Sequence, residues 1–107
     1  MDAIYIMSTP KRAKRNLYRM GGYGGTKESL LSDFKQIHRN TKLFFFCKVP
    51  VHNVPPRELF ELLKDCIVVK PPYNIRWCKL ELSKCISALA KAYNLNEEQI
   101  CAATLIK

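Results

Sequence analysis

The chain has few acidic side chains and lacks the features of a membrane-spanning or secreted protein. Asp and Glu number 9 against 18 Lys and Arg, so the 107 residues carry a formal net charge of +9. No apolar run approaches the roughly 18 residues of a spanning helix. Residues 3–7 are too short for the apolar core of a secretory signal, and the basic cluster follows them instead of preceding them. We therefore expect no membrane partner.

Cysteine and histidine occur without the spacing of a metal site. The five cysteines, at positions 47, 66, 78, 85 and 101, contain no CxxC pair, and each lies in an apolar pattern. This arrangement is typical of buried, reduced thiols in a reducing compartment. His38 and His52 complete no recognisable set of zinc ligands. The sequence accordingly predicts neither a metal nor another cofactor.

Residues 42–76 predict the centre of the fold. Residues 43–49 are almost continuously apolar and rich in aromatics, as in a strand buried on both faces, and residues 66–69 repeat that character in a shorter run. A strand, a helix and a strand in succession predict a βαβ crossover with parallel strands. The predicted fold class is α/β, a single small domain with this βαβ core and flanking helices. The predicted helix places Leu59, Leu62, Leu63 and Cys66 on one face.

The loops that follow the two predicted strands would leave the sheet at the same end, where open parallel sheets usually bind ligands. The polar and aromatic side chains of these loops and their immediate flanks are basic, amide or aromatic, and none is acidic. This composition indicates an anionic partner. The residues concerned are Lys48, His52, Asn53, Lys70, Tyr73, Asn74 and Arg76.

Residues 1–25 carry the densest positive charge and end in the run GGYGG, which lacks the G-x-G-x-x-G pattern of a nucleotide-binding loop. We predict a basic, glycine-ended N-terminal arm ahead of a domain over residues 26–107. A targeting address is one alternative, because PKRAKR resembles a nuclear import signal and a basic stretch poor in acids also suits mitochondrial import. A solvated charge run is another. The leading prediction is phosphate contact by Lys11, Arg12, Lys14, Arg15 and Arg19, with Tyr23 stacking on bases.

Two helices are predicted to flank the central unit. Thr26 is a candidate N-cap for a helix that runs to about residue 39, and the dipole of that helix accounts for His38 near its end. Asn74 caps a longer helix over residues 75–93, whose outward face is basic or small. The remaining predicted elements are a short helix opened by a capping box of Asn96 and Gln99, and a brief strand over residues 103–106.

Residues 26–90 resemble the N-terminal domain of the ribosomal stalk-base protein family, the tenth protein of the large subunit. The run ELFEL at residues 58–62 and the run VVK at residues 68–70 carry the resemblance. It implies contact with large-subunit ribosomal RNA at the stalk base through the arm, Lys48, Lys70 and Arg76, beside neighbouring ribosomal proteins. The long C-terminal helix that binds acidic stalk dimers in that family has no counterpart, so those dimers are not expected as partners.

Together these patterns predict a non-catalytic structural component of a ribosome that binds RNA, with the mitochondrial ribosome as its setting. The alternative is a small nuclear regulatory or viral accessory protein that uses PKRAKR for import and acts through host-protein or nucleic-acid binding. An enzyme is not expected, because the central loops contain no carboxylate for acid–base work. Cys47 falls within a predicted buried strand, which does not favour an activated thiolate.

Overall fold

The computed structural model, which describes residues 2–49, 61, 63–70 and 75–104, places the first strand of the chain inside a five-stranded sheet. Glu61 and Leu63 are helical, and Lys64–Cys66 forms a 3₁₀ turn. The strands are β1 (Asp2–Ser8), β2 (Leu17–Tyr23), β3 (Lys42–Val49), β4 (Ile67–Lys70) and β5 (Ile75–Lys79). The helices are α1 (Pro10–Ala13), α2 (Lys27–Lys35), α3 (Leu82–Tyr93) and α4 (Glu97–Thr104).

The predicted N-terminal arm is wrong, because residues 2–23 form two inner strands of the sheet and the short helix between them. The strand order is β3-β1-β2-β5-β4, and β1 pairs antiparallel with both β2 and β3. Along β1, the side chains of Ala3, Ile4, Ile6 and Met7 are each at most 1% exposed. The short apolar run that was too small for a signal sequence is therefore the most buried strand segment of the fold.

Glycine also has a different role from the predicted end of an arm. Gly21 belongs to β2 and lies opposite Tyr5 of β1. A Cβ atom at Gly21 would stand 3.0 Å from the Tyr5 hydroxyl, so the missing side chain leaves room for the buried Tyr5 ring. Two of the four glycines, Gly21 and Gly22, thus continue a strand.

The predicted βαβ crossover is wrong as well, since every neighbouring pair of strands in the sheet is antiparallel. β3 and β4 point the same way, but they occupy opposite edges of the described sheet with three strands between them. β4 pairs instead with β5, with Val68 opposite Trp77. Most of the predicted crossover helix lies outside the described residues.

Helices cover both faces of the sheet. On one face Leu30 of α2 packs with Tyr5, Met7 and Phe46, while on the other Cys85 and Leu89 of α3 pack with Phe45. The burial of β3 on both faces is confirmed. The radius of gyration is 12.9 Å, close to the ~13 Å of a single domain of this length. The predicted single small domain of the α/β class is confirmed.

The helix caps predicted at Thr26 and Asn96 are confirmed, unlike the predicted topology. The Thr26 hydroxyl accepts from the Ser29 amide at 3.1 Å, although α2 ends at Lys35. Asn96 and Gln99 exchange backbone-to-side-chain hydrogen bonds of 2.8 and 2.9 Å, as a capping box requires.

The predicted ends of the last helices need correction. Residues 75–79 of the predicted long helix form β5, and Asn74 lies outside the described residues. Trp77 and Cys78 are both buried, on opposite faces of the sheet, which suits a strand between two helical layers. At residues 103–104 the predicted closing strand is also wrong, since α4 continues to Thr104, and residues 105 and 106 are not described.

Candidate anion-binding pocket

A pocket of about 550 Å³ lies where α1 meets the segment between α2 and β3. The pairing of Ser8 in β1 with Lys42 in β3 brings these two parts of the chain together. Four of the nine lining residues are Lys or Arg, and none is acidic. The lining comprises Thr9, Pro10, Lys11, Arg12, Lys14, Ile37, His38, Arg39 and Asn40. We call this the basic pocket.

The α1 wall of the basic pocket is fixed by hydrogen bonds that close the connection from β1 to β2. The Thr9 hydroxyl accepts from the Arg12 amide at 3.3 Å, and Pro10 occupies the first helical turn. The buried Ser8 hydroxyl donates to the Leu17 carbonyl at 2.6 Å. Asn16 takes a left-handed φ of 57°, which turns the chain into β2. The cations of α1 therefore stand on a short, well-anchored turn.

Trp77 forms an aromatic support behind the pocket. Its ring is 2% exposed, and the Arg12 guanidinium carbon lies 5.0 Å from the ring centroid. The His38 ring lies 5.8 Å from the same ring. An arginine stacked on an aromatic face loses rotational freedom but keeps its N–H donors. Arg12 is thus held in place before a ligand arrives.

His38 is electrostatically unusual within this basic setting. Burial of the ring lowers its pKa, and the charges of Arg12 and Arg19 lower it further. The ring is therefore neutral at pH 7. Its Nε2 atom is buried and has no hydrogen-bond partner among the described residues. Such an atom costs free energy until it is paired, so the histidine adds a polar group that a ligand could satisfy.

The His38 pKa predicts an acid-sensitive contribution to stability. An unfolded histidine has a pKa near ~6.5, and the folded value is lower, so the unfolded state binds the proton first. Stability is thus lost as the pH falls from about 6.5 through the lowered folded pKa. We expect His38→Gln to lose less unfolding free energy than wild type between pH 7.5 and 5.5 in urea titrations. An identical loss in both proteins would contradict this.

Several predicted phosphate contacts occupy other positions. Arg19 lies on β2 beneath α2, half-buried, with its guanidinium carbon 4.4 Å from the Phe34 ring centroid. The Tyr23 hydroxyl donates to the Asp33 carboxylate at 2.9 Å and lies 3.1 Å from the Ser29 hydroxyl, so its polar end is bonded to α2. Arg15 is exposed just beyond α1 and does not line the basic pocket. Of the predicted arm residues, the pocket thus gathers Lys11, Arg12 and Lys14.

The loop-flanking residues do not form the predicted joint site. Lys48 lies six residues along β3 from Lys42, about 20 Å away, and lines a different pocket beside Gly25 and Lys27. The ends of β3 and β4 are four strand spacings apart, roughly 19 Å. Arg76 is exposed on β5, and Lys70 is the last residue of β4. His52, Asn53 and Tyr73 lie outside the described residues.

The site residues missed from the sequence are His38, Arg39, Asn40 and Trp77. The first three follow α2 after Gln36 and Ile37, and the run IHRN lies just before β3 as PKRAK lies just after β1. Only the antiparallel pairing of β1 with β3 makes the two runs neighbours. The sequence alone does not show that β1 pairs with β3, so the pocket could not be predicted from it.

The described residues show neither a membrane span nor a metal site. None of their helices is both long and apolar enough to cross a bilayer. No three His, Cys, Asp or Glu side chains among them are placed to hold a metal ion. Comparison of the chain with protein-family models, curated proteins and solved structures gave no match.

Proposed function

We propose that the protein binds nucleic acid, with RNA as the partner class, by holding backbone phosphates in the basic pocket. The observation that carries this proposal is the convergence of four cations with no carboxylate in one concave site. Within the described part of the chain, the single ion pair joins Lys64 and Glu61, so the pocket cations have no acidic partner there. An anion from outside the chain is the natural counter-charge.

The pocket combines two kinds of phosphate ligand. Arg12 presents a fixed guanidinium that can donate two parallel hydrogen bonds to one phosphate. Lys11 and Lys14 are exposed on α1 and act as mobile point charges around it. The net charge of +9 raises the rate at which a polyanion reaches the surface. The proposed role is binding and involves no catalytic step.

The finer proposal is a structural role in the large subunit of a ribosome, near the stalk base and in mitochondria. It is supported by the sequence resemblance of residues 26–90, which the runs at residues 58–62 and 68–70 carry. Co-sedimentation with large subunits would support this proposal. Nuclear accumulation of a fluorescent fusion would instead support the accessory protein with an import signal at residues 10–15.

Salt dependence tests phosphate binding directly. Each phosphate contact on single-stranded RNA contributes about 0.7 to the slope of log affinity against log salt. We expect the triple variant Lys11→Ala, Lys14→Ala, Arg39→Ala to reduce the magnitude of that slope by about 2 and low-salt affinity by roughly 100-fold. Fluorescence anisotropy of a labelled single-stranded RNA oligonucleotide, titrated over a salt series, measures both quantities.

A matched variant controls for the change in net charge. Lys27, Lys84 and Lys91 are also exposed, but they lie on α2 and α3 away from the basic pocket. Their triple alanine variant removes the same three charges, and its slope should change by less than about 1. Equal losses in the two triple variants would overturn the pocket as the binding site. Trp77 is the one tryptophan in the chain, so a fluorescence change on RNA addition would report binding beside Arg12.

A further inference from the structure

Three of the five cysteines meet between the β4–β5 hairpin and α3, on the opposite face of the sheet from Trp77. Cys78 of β5 is 3% exposed and Cys85 of α3 is 0% exposed, whereas Cys66, in the 3₁₀ turn just before β4, is partly open to solvent. Cys78 and Cys85 belong to one cluster of buried side chains, and Cys66 packs against that cluster. We call these three side chains the row of thiols.

The strand register brings the backbones of Cys66 and Cys78 within disulfide range. Ile67 lies directly opposite Cys78, and Cys66 is the residue before Ile67. Cys66 is therefore diagonal to Cys78, one residue along the strand from the opposed position. Opposed Cα atoms are about 4.5–5.5 Å apart and one residue along a strand spans about 3.3 Å, which places the diagonal Cα atoms roughly 5.6–6.4 Å apart. A disulfide tolerates roughly 4.4–6.8 Å. The 3₁₀ turn at Lys64–Cys66 ends the strand alternation there, and the Cys66 side chain packs on the same core as Cys78. A bond between them would close without rearranging the hairpin.

The chemistry of the three thiols is unequal. Hydrogen bonds from Cys85 and then Cys66 stabilise the Cys78 thiolate and lower its pKa, against the opposing effect of burial. Burial raises the pKa of Cys66, and neighbouring Cys78 and Asp65 raise it further. Cys85 has a strongly raised pKa, and its thiol contacts the Leu80 carbonyl at 3.6 Å. Cys66 is the thiol that solvent reaches, and Cys78 is the one that loses its proton more easily.

We propose that Cys66 and Cys78 form a reversible disulfide in the presence of hydrogen peroxide, which covalently joins the start of β4 to β5. The Cys66 thiolate attacks one peroxide oxygen, the O–O bond breaks, and a sulfenic acid forms with release of water after protonation. The Cys78 thiolate then attacks the Cys66 sulfur, the S–O bond breaks, and a second water leaves. Two thiols lose two electrons and two protons, and one peroxide becomes two waters.

The disulfide would stabilise a short strand at the edge of the described sheet. β4 has four residues, and Ile67 and Val69 are 38% and 54% exposed. The described strand that pairs with β4 is β5, so β4 depends on the hydrogen bonds between these two strands. A covalent bond at one end would restrict its separation from β5. The basic pocket lies elsewhere, so RNA binding should be unchanged by this oxidation.

Peptide mapping tests the proposal on the whole purified chain. After incubation with hydrogen peroxide and alkylation of the remaining thiols, non-reducing mass spectrometry should show one linked species that joins the peptides of Cys66 and Cys78. Dithiothreitol should reverse it. Cys66→Ser should abolish the link, while Cys101→Ser, which changes an exposed cysteine outside the row, should leave it intact. A link from Cys78 to Cys85, or Cys66 oxidised without any link, would overturn the proposal.

Thermal unfolding gives a second readout that does not rely on the linked peptide. The closed loop of 13 residues predicts a rise in the oxidised midpoint of roughly 10 °C, reversed by dithiothreitol. Cys66→Ser should fold normally, because its side chain is partly exposed, and should show no rise on oxidation. An unchanged midpoint in the linked wild-type protein would contradict a stabilising bond. Unchanged salt slopes before and after oxidation would keep this result separate from the RNA-binding proposal.

Discussion

Deletion of residues 1–20 is expected to abolish folding, and not merely to weaken RNA binding. The deletion removes all of β1, which pairs with strands on both sides, and four of the seven residues of β2. Ile4, Ile6 and Met7 of β1 are each at most 1% exposed. Burial of these three side chains contributes roughly 5–9 kcal/mol to the free energy of unfolding. That amount is comparable to the whole stability of a small domain, about 5–15 kcal/mol. The truncated chain should lack a cooperative urea transition and a dispersed amide proton spectrum.

A charge variant separates this structural role from phosphate binding. Lys11, Lys14 and Arg15 are exposed, so changing all three to alanine should keep a cooperative transition close to that of wild type. RNA binding should still fall, because two of them line the basic pocket. A truncated protein that unfolds cooperatively, with the midpoint of the full chain, would show that β1 is dispensable and contradict the sheet order.

Trp77→Ala is expected to destabilise the protein by roughly 3–5 kcal/mol and to weaken RNA binding in the fraction that folds. The ring is 2% exposed and packs with Leu17 on one side of the sheet. Its removal leaves a cavity, and Arg12 loses the aromatic face on which it is stacked. Urea unfolding followed by circular dichroism measures the first effect, and anisotropy with labelled RNA measures the second.

Trp77→Phe is the matched variant for that experiment. It keeps an aromatic surface beneath Arg12 while reducing the buried volume, so its RNA affinity should stay closer to wild type than that of Trp77→Ala. If both variants bound RNA as wild type does, the stacking of Arg12 on Trp77 would have no part in recognition. An unfolding free energy unchanged in Trp77→Ala would contradict the buried position of the ring.

The sequence predicted what is local and failed where distant segments pair. The cap at Thr26 and the capping box at Asn96 depend on residues three apart, and both are confirmed. Residues 1–25 were interpreted as an arm because of their charge and glycine content. The apolar run AIYIM at residues 3–7, which forms a buried strand, was given less importance. The apolar residues of positions 75–79 continued the helical spacing of the segment that follows and were predicted as one helix with it. Pairing with β4 makes residues 75–79 a strand instead. Composition could not reveal that partner.

The same distinction applies to the candidate site. Lys11, Arg12 and Lys14 were identified from charge density alone, because basic clusters are visible in any sequence. His38 and Arg39 complete the pocket only through the β1–β3 ladder, and Trp77 reaches it from a strand almost forty residues further along. Each of these positions requires knowledge of strand order. The predicted convergence of loops after β3 and β4 failed for the same reason.

The narrow junction between β2 and β5 has a consequence for how the chain is made. Only Leu17 with Lys79 and Tyr18 with Cys78 are paired there, whereas β1 has seven paired residues with β3. Residues 2–49 already contain three adjoining strands and α2, so this portion can assemble while the ribosome is still synthesising the hairpin. Until β5 arrives, the outer edge of β2 is exposed as an unpaired strand. Nascent chains halted in this interval would be the form most prone to associate with one another.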